Sequence, residues 1–270
     1  MDRIRDAVSK ARQERAGSKS PAAAPRSPLP RFQPAPSRGQ ETFREVKCDF
    51  DRFVDHRIIS NEQDPVLNAY RVLRTRVLQK MEDNNWRTLA VISPGPGAGK
   101  TVTAINLGIA IGSKEGSRAT IVDLDFYRPR VAHYLGIADP PSILDYFEGS
   151  ASLADVTLKP DLPDVLIIAN ERVSRKGAEH LTSAKADELI ARTVNDYGSR
   201  IVIFDMSPML GCDDTTAFLP KVDCVLLVVA SGQSREPDIK ETLRLLKGAN
   251  IVGTLLNKAP PEAMIGAQYY

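Results

Sequence analysis

Ten residues constrain this chain more than any others. Ile92-Ser-Pro-Gly-Pro-Gly-Ala-Gly-Lys-Thr101 ends one apolar run, Thr88–Ser93, and opens another, Thr101–Gly112. The glycines at 95, 97 and 99 let backbone N–H groups turn toward one centre, and a helix N-terminus there adds partial positive charge. A lysine and a hydroxyl follow, the pair that reaches phosphate oxygens and a magnesium ion in a phosphate-binding loop. The stretch therefore predicts a nucleotide site built from Gly95, Pro96, Gly97, Ala98, Gly99, Lys100, Thr101 and Val102. Lys100 would reach the β- and γ-phosphates and Thr101 the metal. Pro94 stands where the common pattern has its first glycine.

Such a loop needs a strand before it and a helix after it. The chain repeats that alternation. Apolar runs predict strands at Thr88–Ser93, Ala119–Asp123, Val165–Ala169, Ile201–Asp205, Val222–Ala230 and Ile251–Leu256. Helical patterns lie between them at Thr101–Gly112, Ser183–Tyr197 and Pro237–Lys247, with Ser183 expected as an N-cap. Ahead of the loop, from about Asp64, Val66, Tyr70, Leu73, Val77 and Met81 recur at helical spacing. Strands that are apolar throughout, separated by helices, predict an α/β P-loop NTPase fold: a mostly parallel sheet with helices on both faces.

Three acids end predicted strands. Thr120-Ile-Val-Asp-Leu-Asp-Phe-Tyr-Arg-Pro129 places Asp123 and Asp125 at a strand's carboxyl end, where open α/β sheets bind ligands. Asp123 is expected to hold a magnesium water, and Asp125 to accept a proton from an attacking hydroxyl. Arg200-Ile-Val-Ile-Phe-Asp205 ends in the acid expected to complete the magnesium shell. The expected catalytic set is thus Lys100, Asp123, Asp125 and Asp205, with Thr101, Asp123 and Asp205 around the metal. Late in the chain, Gly253-Thr-Leu-Leu-Asn-Lys-Ala-Pro260 places Asn257 where it can hydrogen-bond a base. Pro260 occupies the position where a guanine site has an aspartate, which favours adenine. ATP and magnesium are the expected cofactors.

The ends of the chain differ from its middle. Residues 1–47 hold eleven Lys and Arg against five Asp and Glu, a net of +6, while the remainder holds 25 against 29. Ile4, Val8 and Ala11 form a thin apolar stripe on a predicted basic helix over 1–17. Six prolines between 18 and 39 predict a disordered linker, placed at 18–46. The nucleotide domain is assigned to 47–262 and a short tyrosine-containing tail to 263–270. No apolar run approaches the roughly 20 residues of a membrane span, and charges near the N-terminus argue against an export signal. Cys48, Cys212 and Cys224 lack metal spacing and are expected as reduced thiols in a cytoplasm. His56, His133 and His180 are scattered and expected to be structural or exposed.

Taken in order, these motifs resemble the bacterial tyrosine kinases of capsule and exopolysaccharide synthesis, over roughly residues 60–260. Asp123, Asp125, Arg128 and Pro129 match the family's Asp-x-Asp-x-x-Arg-Pro, and Asp205-Met-Ser-Pro208 matches its Asp-Thr-Pro-Pro in part. Asn68-Ala-Tyr-Arg71-Val-Leu-Arg74 is similar to its ring-forming Glu-x-x-Arg-x-x-Arg helix, with Asn68 at the Glu position. The N-terminal Ala7–Arg15 segment is similar to autokinases encoded beside exosortase-linked polysaccharide genes. The resemblance implies a protein tyrosine autokinase that forms a homo-oligomer and phosphorylates a neighbour's tail, here Tyr269 and Tyr270. It also implies recruitment to the inner face of the membrane by a polysaccharide co-polymerase, and no nucleic-acid partner. A phosphorylated tail is expected to be repelled by an acidic pocket. Two other readings stay open: a non-kinase ATP-binding regulator of the co-polymerase, and a partition-type ATPase. Partition ATPases carry a signature lysine where this chain has Gly95.

Overall fold

The strand residues alternate between two cores although nearly all of them are buried. In a computed structural model, which describes residues 42–60 and 63–260, Ala90, Ile92, Val122, Leu124, Val202, Phe204, Val225 and Leu227 face one apolar cluster. Their neighbours Leu89, Val91, Ile201, Ile203, Leu226 and Val228 face another. A strand points successive side chains to opposite faces. An unbroken apolar run therefore becomes a central strand only when helices cover both faces.

Eight strands form one sheet in the order β1-β4-β5-β3-β6-β2-β7-β8. They are β1 (Arg44–Val46), β2 (Thr88–Ile92), β3 (Ala119–Leu124), β4 (Thr157–Pro160), β5 (Val165–Ile168), β6 (Ile201–Met206), β7 (Cys224–Ala230) and β8 (Ile251–Asn257). All neighbouring pairs are parallel except β4 with β5. The six strands expected from sequence are all present, within two residues at each end. β1 and β4 were not expected. β1 also corrects the linker boundary, since Arg44–Val46 pair with Leu158–Pro160 instead of belonging to a disordered segment that runs to 46. The expected helix at 1–17, the linker before residue 42 and Tyr269 and Tyr270 lie outside the described residues.

Helices α1 (Phe50–His56), α2 (Pro65–Asp83) and α3 (Lys100–Gly112) and the short α4 (Val131–Leu135) share one side of the sheet, where Phe53, Met81, Leu107 and Leu135 are buried. Asp64 caps α2 by accepting from the Val66 N–H at 2.9 Å. On the opposite side lie α5 (Ile143–Glu148), α7 (Ala184–Asn195) and α9 (Glu236–Leu245), burying Ile143, Leu189 and Ile239. Between them, α6 (Gly177–Thr182) and α8 (Asp214–Phe218) pack against each other. Ser183 precedes α7 with extended backbone but does not cap it. Its hydroxyl donates backward to the His180 carbonyl at 2.6 Å, so the preceding helix α6 wins the hydroxyl.

Cys48, Cys212 and Cys224 are free thiols, with Cys224 buried. Among the described residues, no helix is long and apolar enough to cross a membrane.

Candidate active site

The phosphate loop is held in place before any ligand is considered. Gly99 precedes α3 at φ +92°, a left-handed conformation, and Gly97 lies at φ +76°. A β-carbon on Gly99 would stand 2.2 Å from Asn257 Nδ2. A loop whose N–H groups face inward turns its carbonyls outward, where they need donors. Asn257 Nδ2 donates to the Ala98 carbonyl and Lys258 Nζ donates to the Gly97 carbonyl, each at 2.8 Å. Lys258 Nζ also donates to Gln233 Oε1 at 2.8 Å. The loop's first residues are held from the other side, where Met209 N–H donates to Ser93 O and Leu210 N–H to Pro94 O. No acidic residue lies in the first turn of α3, and no side chain caps it. Its N-terminus is left to an anion.

The acids meet because β6 lies between β3 and β2. Asp123 and Asp205 are register partners on adjacent strands, and both are fully buried. Thr101 Oγ1 donates to Asp205 Oδ2 at 2.6 Å, while Asp205 Oδ1 is buried without a partner among the described residues. Burial pushes the Asp205 carboxyl up to about 7, against the opposing pull of Lys100 and the Thr101 hydrogen bond. Asp123 is also raised, by burial and then by the charge of Asp205.

Two buried carboxylates with one nearby lysine favour a further cation, and the orphaned Asp205 oxygen fits one. No three His, Cys, Asp or Glu side chains cluster as a metal cage among the described residues. Magnesium takes one or two protein oxygens and completes its shell with phosphate and water. Asp123 is already engaged. Its Oδ2 accepts from the Arg130 and Val131 N–H groups at 3.0 Å, and its Oδ1 from the Asp125 N–H at 3.2 Å. These bonds also fix the turn that leads into α4.

Asp125 is presented differently. Its Oδ1 accepts from the Arg128 N–H and the Ser207 hydroxyl, each at 3.0 Å, and from the Tyr127 N–H at 3.3 Å. None of these bonds involves Oδ2. The carboxylate lines a cavity of about 620 Å³ whose wall includes Pro96, Gly97, Gly99, Lys100, Thr101 and Val102. One cavity therefore joins the phosphate loop to the acid expected to accept a proton. Asn257 is committed to Ala98 and to the Lys258 N–H, though an amide retains a second N–H and a second lone pair.

Apart from Arg128, which belongs to the Asp-x-Asp-x-x-Arg-Pro motif, sequence reading missed the far wall of this cavity. His56, Tyr127, Arg128, Arg130, His133 and Tyr134 line it. Asn106 of α3 carries the segment after α1 into place, accepting from the Ile59 N–H and donating to the Arg57 carbonyl, both at 2.9 Å. The His56 ring then stacks on Tyr134 at 4.3 Å and lies 5.5 Å from that of His133. Two histidines expected to be scattered are thus neighbours at the rim. Burial, then the charges of Arg130, Arg52 and His56, hold the His133 imidazole below its ordinary range. The pocket expected to be acidic has an acidic floor and a basic rim. Nothing local marks His56, His133 or Tyr134, because α1 and α4 meet only in the folded chain.

In α2, Arg74 Nη1 donates to the Ala110 carbonyl of α3 at 2.7 Å, and Arg71 Nη1 donates to Asn68 Oδ1 at 3.5 Å.

No family model matches the chain. EpsB of Ralstonia solanacearum, by name a candidate tyrosine-protein kinase, is 28% identical over 201 residues, 74% of this chain and 26% of EpsB. The chain therefore spans about a quarter of that relative's length. Tyrosine-protein kinase YwqD of Bacillus subtilis is 23% identical over 205 residues, 74% of this chain and 85% of YwqD. Among solved structures, the kinase domain of Escherichia coli tyrosine kinase ETK aligns with a TM-score of 0.68 at 22% identity, covering 78% of this chain and 88% of that domain. The cell division ATPase MinD of Pyrococcus furiosus aligns at 0.52 and 27% identity, over 67% of this chain and 78% of MinD.

Proposed function

We propose that this chain, which belongs with the bacterial tyrosine kinases, is an ATP-dependent protein tyrosine autokinase serving exopolysaccharide or capsule synthesis. The observation that carries this reading is a cavity lined both by Lys100 and Thr101 of the phosphate loop and by the Asp125 carboxylate, with Asp205 buried beneath Thr101 and hydrogen-bonded to it. The N–H groups of Gly95 and of Gly97 to Thr101, with the Lys100 ammonium, would bind the triphosphate. Thr101 and Asp205, with Asp123 behind them, would hold magnesium. When bound, that ion would neutralise charge on the phosphates.

The phenol oxygen of an acceptor tyrosine bonds to the γ-phosphorus as the bond from that phosphorus to the β,γ-bridging oxygen breaks. ADP takes that oxygen, and the phenol proton passes to Asp125. Positioning and charge stabilisation carry most of such a transfer. Tyr269 and Tyr270 of a neighbouring copy are the proposed acceptors, and a membrane polysaccharide co-polymerase is the proposed recruiting partner.

Incubation of the full chain with labelled ATP and magnesium, followed by mass spectrometry, tests the reading. Phosphate on Tyr269 or Tyr270, absent in Lys100→Met, is expected. Tight ATP binding without label would replace it with the regulator reading. Free phosphate alone would replace it with a water-using ATPase.

A further inference from the structure

The cavity has two parts of opposite sign. Its floor holds Asp125 beside the buried Asp123 and Asp205. Its outer wall carries Arg128 and Arg130, both exposed and without an ion pair among the described residues. The Arg128 N–H lies 3.0 Å from Asp125 Oδ1 and the Arg130 N–H 3.0 Å from Asp123 Oδ2, so both guanidinium groups leave the backbone at the edge of the acid cluster. Beside them the rim is aromatic, with Tyr127, Tyr134 and His56. Among the described residues, Asp125 is the only carboxylate in the wall. The charge of Asp214, then burial, Cys212 and Asp213, raise the Tyr127 phenol, with Arg175 opposing them. The phosphate loop needs Lys100 for the nucleotide but has no use for two arginines on the acceptor side.

We propose that this rim selects an acceptor tyrosine carried on an anionic peptide segment, whose carboxylate or phosphate groups, within a few residues of the phenol, are read by Arg128 and Arg130. Guanidinium groups bind either anion through paired N–H donors, and the aromatic wall accommodates the phenol ring. The inference rests on the kinase reading above and adds the class of acceptor. It also reverses the consequence of a first phosphorylation. A phosphotyrosine next to the acceptor is drawn to this rim instead of being repelled, so adjacent tyrosines such as Tyr269 and Tyr270 would be modified in succession, the second faster.

The test uses the full chain with magnesium and ATP, and peptides that are identical except for four residues flanking one tyrosine. Those residues are Glu, Gln or Lys, and a fourth peptide carries phosphotyrosine beside the acceptor. Because exposed ion pairs are individually weak, the expected kcat/KM is about three- to tenfold higher for Glu flanks than for Gln, with Lys below both. The phosphotyrosine arm separates phosphate from carboxylate as the anion preferred. The contrast should shrink between roughly 0.05 and 0.5 M salt, as screening shortens the reach of charge. Arg130→Gln should remove most of the preference with the KM for ATP unchanged, and Arg130→Lys should restore part of it.

Equal rates for Glu and Gln flanks at low salt would overturn the inference. So would a preference that survives Arg128→Gln with Arg130→Gln. If the variants fail to fold, the salt series on the unaltered chain decides alone. If no peptide and no tail tyrosine is labelled while ATP binds, the kinase reading itself fails and the inference falls with it.

Discussion

The Thr101 hydroxyl donates to Asp205 Oδ2 at 2.6 Å across 104 residues of sequence, while Oδ1 of the same carboxylate is buried without a partner among the described residues. A metal ion is the natural claimant for that oxygen. Asp205→Asn is expected to weaken the magnesium-dependent part of ATP binding by about 10- to 100-fold, the range seen when groups around a metal are altered. Titration with a fluorescent ATP analogue, with and without magnesium, checks this. An unchanged magnesium effect would make Asp205 a purely structural acid.

Asp125 is expected to act on a proton. Asp125→Asn preserves shape and can still accept from the Arg128 N–H, but the amide is a poor base. Phosphoryl transfer should fall by about 10²- to 10⁴-fold with nucleotide affinity retained. Single-turnover transfer alongside equilibrium binding separates the two effects. Activity within a few-fold of the unaltered chain would mean that positioning alone carries the chemistry.

Lys258 holds the loop expected to bind the nucleotide. Its ammonium holds the Gly97 carbonyl and Gln233 Oε1, each at 2.8 Å. A hydrogen bond from a charged group contributes about 1.5–3 kcal/mol. Lys258→Met should therefore raise the KM for ATP on the order of tenfold and leave kcat at saturating ATP nearly unchanged. Lys258→Arg should recover part of the loss. A fall in kcat with unchanged KM would contradict a role in loop positioning.

Asp214 predicts a pH effect on stability. It is 1% exposed, and it packs so closely that a β-carbon on Gly177 would lie 2.1 Å from its Oδ2. Burial, then the neighbouring Asp213, pushes its carboxyl up to about 6, against the pull of the Ala178 N–H. The folded state therefore binds this proton more tightly than the unfolded chain. Stability from this group is present below about pH 4 and is lost as pH rises to about 6. Asp214→Asn should remove that loss and raise stability above pH 6 by about 1–2 kcal/mol, with little change near pH 4. Thermal melts from pH 4 to about pH 8 read the difference directly. A variant that is less stable across this whole range would show that the ionised carboxylate is favourable where it sits.

Local sequence determined the parts of this protein that depend on a strand meeting a turn. The glycines before Lys100, the hydroxyl of Thr101 and the acids at 123, 125 and 205 are legible because each sits at such a junction, where the backbone requires certain residue types. Apolar runs marked six of the eight strands. β1 and β4 escaped because each is short and polar at its exposed positions, as in Arg44-Glu-Val46 and Thr157-Leu-Lys-Pro160. Ser183 looked like a cap because its side chain suits one, but a hydroxyl takes the nearest acceptor, and the end of α6 supplied it.

Only the tertiary structure decided what these pieces face. Chain order runs β2, β3, β6, whereas the sheet runs β3-β6-β2, and that insertion sets Asp205 beside both Asp123 and the phosphate loop. The hold of Lys258 on Gly97 spans 161 residues, and the stacking of His56 on Tyr134 joins α1 to the helix after β3. Contacts of that range leave no periodic trace in a sequence. They depend on which strand lies next to which, and burial of the whole sheet settles that at once. The basic rim over an acidic floor arises in the same way. The motif names Arg128 but not its facing, Arg130 looks like an ordinary surface charge in the sequence, and only the turn closed by Asp123 and Asp125 sets both at the edge of the site.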